Sequence, residues 1–128
     1  MEKLPYEAQL YYSAISCLQN GEYHKALNLF DELISNHIDE SNLTDQEAQF
    51  YYNRAIAKTQ LDDVDGAIED LKKAIKIYDL HQAYYELFRL YHSKNEPQSG
   101  LNYLVKAYKL GNKNAEKILR ESTNYFNQ

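Results

Sequence analysis

A chain of 128 residues, 44% apolar and 26% charged, has the size and composition of one compact soluble domain, which excludes wholesale disorder. Its formal charge of -5 comes with no block of Lys or Arg, so both the basic footprint of a nucleic-acid binder and a polybasic membrane-surface segment are missing. No stretch approaches the roughly 20 apolar residues of a membrane helix, and four glycines, two prolines and no tryptophan argue against a turn-rich β protein.

The single cysteine, Cys17, cannot form an internal disulfide, and the start, MEKLPYEAQLYYS, has no basic segment leading into an apolar run. Both features suit a cytoplasmic protein. Tyrosine is the compositional outlier, with 13 residues.

The predicted elements are paired helices. A first pair over about residues 7–40 places Ala14 and Ala26 twelve apart, with the turn Asn20-Gly21-Glu22 between them. A second, over about 48–80, repeats the spacing with Ala55 and Ala67 and turns at Asp62-Asp63-Val64-Asp65, where Asp63 is placed to cap the next helix. That next helix carries Ala67, Ile68, Leu71, Ala74, Ile75 and Tyr78 on one stripe, with Lys and Glu opposite. A third pair, over about 81–112, has Phe88 and Gly100 in the corresponding places, and Pro97 suits a first helical turn. The register is 41 residues between the first two pairs and 33 between the next two, so seven extra residues fall around His37–Asp45. Residues of about 113–126 read as one amphipathic capping helix, its apolar stripe formed by Ala115, Ile118, Leu119, Ser122, Tyr125 and Phe126.

The middle unit, AQFYYNRAIAKTQLDDVDGAIEDLKKAIKIYD, resembles a tetratricopeptide repeat over its whole length, through its tyrosine pair, Ala55, Ala67, Leu71 and Ala74. The first unit is similar through Ala14, Gly21, Tyr23, Ala26 and Phe30. The third is weaker, and its ending, KAYKLGNKNAEKIL, is similar to the Sel1-like relative of the family. The resemblance implies an all-α, right-handed α-solenoid: three helix pairs plus a C-terminal capping helix, seven helices in a single domain over residues 1–128. It also implies a non-enzymatic module that takes a protein or peptide partner in a concave groove lined by the first helix of each pair. Carried over position by position, that groove presents Tyr11, Tyr12 and Ile15, then Gln49, Tyr52, Asn53 and Ile56, then Gln82, Tyr85, Glu86 and Arg89.

Co-chaperone members of the family hold a C-terminal carboxylate with five Lys, Asn and Arg side chains. The matching places here are Tyr11, Ile15, Asn53, Gln82 and Glu86, of which only Asn53 is retained, and Glu86 would repel a carboxylate. A heat-shock chaperone tail is therefore excluded as the expected ligand.

No other chemistry stands out. His24, His37, His81 and His92 form no ligand motif, and DDVDG, aligned as a calcium loop, would put Leu61 and Lys72 at ligand places. No phosphate loop, GxSxG or acid–base pair is present, so neither cofactor nor catalysis is expected. The sharper feature is Ala8–Gly21, which carries no charged residue. Three readings fit it: a homodimer through the first helix, an apolar client segment as in small secretion chaperones, or a solvated polar stripe through Gln9, Ser13, Ser16 and Asn20.

Overall fold

The computed structural model describes residues 5–36 and 43–126, with side chains in the last helix described as far as Ser122. Among these residues there are seven α-helices and no strand: α1 (Tyr6–Gln19), α2 (Tyr23–Asn36), α3 (Asp45–Gln60), α4 (Val64–Ile77), α5 (His81–Ser93), α6 (Pro97–Lys109) and α7 (Lys113–Phe126). The chain divides into two compact units, residues 1–78 and 79–128, so α1–α4 belong to the first and α5–α7 to the second.

The tight turns share one geometry. Gly21, Asp62, Asn95 and Gly111 all sit in the left-handed region, at φ of 79°, 63°, 62° and 95°. The residue after each donates its N–H five residues back, from Glu22 to Cys17 O (2.8 Å), Asp63 to Lys58 O (2.8 Å), Glu96 to Tyr91 O (2.9 Å) and Asn112 to Ala107 O (2.9 Å). This is the Schellman closure, which satisfies carbonyls that a helix end leaves unpaired. The first three of these turns carry the 41- and 33-residue register read from the sequence.

Helix starts are set by side chains. Asp63 accepts from the Gly66 N–H, and Pro97 occupies the first turn of α6. Thr44 and Glu47 form a reciprocal capping box, which starts α3 at Asp45, three residues before the predicted repeat unit. At the other end α4 stops at Ile77. Tyr78 is extended and 52% exposed, and so leaves the apolar stripe on which its spacing placed it. The extra residues expected between the first two pairs fall largely at 37–42, outside the described residues.

In the first unit Leu10, Ala14, Cys17, Ala26, Phe30, Leu33, Phe50 and Ala57 form one buried cluster, and α3 packs on both α2 and α4. The alanine pairs Ala14/Ala26 and Ala55/Ala67 are fully buried, as close backbone approach requires. In the second unit the same approach is made differently. A Cβ on Gly100 would lie 3.1 Å from both Cα and O of Phe88, so the glycine admits the larger residue opposite it. Around this contact Leu104, Ala107 and Ala115 are buried, with Phe88, Tyr84, Tyr85, Ile118 and Leu119 packed against them. Ser122 is exposed rather than part of the α7 stripe, and the side chains of Tyr125 and Phe126 lie outside those described.

Candidate functional site

The first unit brings α1 and α3 together through the residues predicted to line a groove. Asn53 Nδ2 lies 3.4 Å from Tyr11 Oη and 3.0 Å from Gln49 O, donating to both. The Tyr11 ring packs on Phe50 at 5.5 Å between centroids and meets Tyr12 edge-on at 6.1 Å. Burial raises the Tyr11 pKa, partly offset by the hydrogen bond from Asn53. Ile15 is half-buried against the core beside Tyr11, and Tyr52, Gln49 and Ile56 are half-buried on α3. Tyr12 is the exception, 63% exposed. The asparagine that a carboxylate clamp would use is thus spent on holding a tyrosine.

In the second unit, Arg89 Nη1 donates to both carboxylate oxygens of Glu86, at 3.0 and 3.3 Å. The two predicted charged groove residues therefore neutralise each other, one turn apart. Tyr85 is half-buried against Phe88, and Gln82 is exposed.

The sequence reading missed a second polar assembly. Asp70, 1% exposed, accepts from Arg54 Nε (2.8 Å) and Nη2 (2.7 Å), with Lys58 Nζ at 3.0 Å. Arg54 Nη1 also reaches Asp31 at 3.0 Å. The available signal was an acid inside the α4 apolar stripe, with two cations one turn apart on α3. The Tyr51 ring lies against both Arg54 (5.6 Å) and Lys73 (5.9 Å).

Asn112 was also overlooked. Its Oδ1 accepts from Ala115 N at 2.9 Å, capping α7, which leaves Nδ2 to donate to His81 Nδ1 at 3.0 Å. No cluster of three or more metal-ligating side chains converges among the described residues. The crevice lined by Ile34, Leu43, Glu47, Phe50 and Tyr51 measures only about 10 Å³, below the size of a small-molecule site. No helix among the described residues is long and apolar enough to cross a membrane.

No family model matches the chain, and no curated protein matches it significantly. Solved structures do. The chain is similar to MamA (TM-score 0.72, 20% identity), covering 83% of its own length and 58% of MamA's. It is similar over 94% of its length to SycD, a type III secretion translocator chaperone of Yersinia enterocolitica, at TM-score 0.70 and 20% identity, covering 86% of that chain. It is likewise similar to the tetratricopeptide domain of Sgt2 from Aspergillus fumigatus (TM-score 0.68, 19% identity, 94% and 83% covered). The chain spans somewhat over half the length of two of the MamA structures it matches. At these identities the likeness is one of fold. The chain has the all-α, tetratricopeptide-type fold of paired helices, an architecture shared with protein–protein interaction modules.

Proposed function

We propose that the chain is a non-enzymatic, cytoplasmic interaction module, and that α1 and α3 present a face on which a segment of a partner protein lies. The carrying observation is the Tyr11–Asn53 bond. It fixes two rows of side chains relative to each other and leaves the Tyr12 ring in solvent beside them. A rigid aromatic body with a hydrogen-bonding tip suits the anchor role in peptide recognition. In the second unit the corresponding face is Gln82, Tyr85, Glu86 and Arg89, polar and internally charge-balanced. On the α1–α3 face the partner segment is apolar where it meets Tyr12.

The test is selection of peptides from a displayed random library, followed by calorimetry on wild type, Tyr12→Ala and the pair Tyr52→Ala/Asn53→Ala. Loss of one hot-spot tyrosine is expected to weaken binding by about tenfold or more, with helicity unchanged by circular dichroism. Unchanged affinity in both variants sinks the reading.

A second reading is favoured by one feature, the absence of charge from Ala8 to Gly21 on a helix whose Tyr6 and Tyr12 are both 63% exposed. On it the chain is a small chaperone that shields an apolar client segment; the structurally similar SycD is a translocator chaperone by name. Ile15→Asp would then release an aggregation-prone client in co-expression; continued solubility of that client argues against it.

A further inference from the structure

The terminal helices carry opposite charge. Among the described residues, α1, α2 and the turn between them hold Glu7, Glu22, Asp31 and Glu32 against Lys25, three more acids than bases, with Asp31 already paired to Arg54 of α3. α6 and α7 hold Lys106, Lys109, Lys113, Lys117 and Arg120, against Glu116 and Glu121, three more bases than acids. We propose that copies of this chain associate head to tail, the basic surface of α6–α7 on one copy docking on the acidic surface of α1–α2 of the next.

Each unit leaves part of its charge uncompensated. On α7, Glu116 is already gripped by Lys113 at 3.6 Å and Arg120 at 2.7 Å, two cations on one carboxylate. Lys109 and Lys117 are exposed and have no acid within ion-pair distance among the described residues. On the acidic side, among the described residues, Glu32 accepts the Tyr6 hydroxyl at 2.6 Å, and Glu22 meets Lys25 at 3.8 Å with both side chains largely solvated. The chain thus supplies the complement of its own basic end, and a second copy is the occupant this favours. Because the two surfaces differ, the contact is heterologous, and the rotation it imposes decides between a closed ring and an open chain. Screening over about 8 Å at physiological ionic strength, together with the net charge of -5, makes the contact short-ranged and salt-sensitive.

Sedimentation velocity on the full chain across a concentration series tests this. Mean mass is expected to rise with concentration at about 50 mM salt, and the association to weaken about tenfold or more by about 300 mM. Lys109→Glu/Lys117→Glu and Glu22→Lys/Glu32→Lys are each expected to remain monomeric with wild-type helicity. Their equimolar mixture is expected to associate again, since the reversed tail of one meets the reversed head of the other. The salt series on wild type stands even where a variant fails to fold. A wild-type monomer at low salt overturns the proposal, as does association indifferent to salt and to both reversals, which would point instead to the uncharged face of α1. Wild type that stays monomeric yet binds an acidic peptide, poly-glutamate as the probe, also overturns it and assigns the basic surface to a foreign acidic partner.

Discussion

Arg54 holds the buried carboxylate of Asp70 through two bonds, Nε to Oδ2 at 2.8 Å and Nη2 to Oδ1 at 2.7 Å. Lys58 completes the site from the next turn of α3, and Asp31 draws Arg54 toward α2 as well. Three helices are tied by one cluster. Burial disfavours the charged guanidinium, but the bonds and charges of Asp70 and Asp31 outweigh it and raise the Arg54 pKa. Thirty-three residues later, the register of the next pair, the same places hold Leu87, Tyr91 and Tyr103, and there the two tyrosine rings stack at 6.0 Å and 5°.

The ionic cluster makes a prediction about stability. Asp70→Ala leaves two partly buried cations without their acid and is expected to cost about 3–5 kcal/mol. The triple exchange Arg54→Leu/Lys58→Tyr/Asp70→Tyr, which copies the third pair, removes the charges together and is expected to recover at least half of that loss. Urea denaturation midpoints at unchanged slope check both; a triple variant less stable than Asp70→Ala would show that the two clusters are not interchangeable.

Asp62 adopts φ of 63° with a side chain where Gly21 and Gly111 have none. Asp62→Gly is expected to stabilise the chain by about 0.5–1 kcal/mol, since a left-handed residue with a Cβ is strained. A lowered thermal midpoint would mean that the Asp62 carboxylate contributes more than the strain it brings.

Gly100 runs against the usual rule for glycine within a helix. Replacement by alanine ordinarily gains up to about 1 kcal/mol. Here the new Cβ would meet Phe88 Cα and O at 3.1 Å, backbone atoms that cannot rotate away. Gly100→Ala is therefore expected to lower the melting temperature, and a rise would show that α5 and α6 can separate at no cost.

Tyr84 supplies the pH dependence. Burial, then its 2.8 Å hydrogen bond to Asp79 and the charge of that carboxylate, raise its pKa from 10.0 to about 12. The folded chain holds this proton more tightly than the unfolded one, so the stabilisation is complete below pH 10 and lost as pH rises toward 12. Ultraviolet titration of the phenolates should show a late-titrating group that is smaller by one tyrosine in Tyr84→Phe. An unchanged titration curve in that variant contradicts the assignment.

Helix pairing, the turns at Asn20-Gly21 and Asp62-Asp63 and the small-residue contacts were legible in the sequence because they are local or periodic. An apolar stripe repeats every three to four residues, and a left-handed turn residue announces itself by type. Of the candidate site, the register assigned residues to α1, α3 and α5 and made Tyr12 the repeat equivalent of Asn53. What those side chains do did not follow. The sequence presents Asn53 as a groove residue at a clamp place without a clamp and Glu86 as an acid that would repel a carboxylate. The folded chain gives Asn53 to Tyr11, Glu86 to Arg89 and Arg54 to Asp70. Periodicity assigns a residue to a face. Only the distances between faces, set by how closely two backbones pack, decide which donor meets which acceptor.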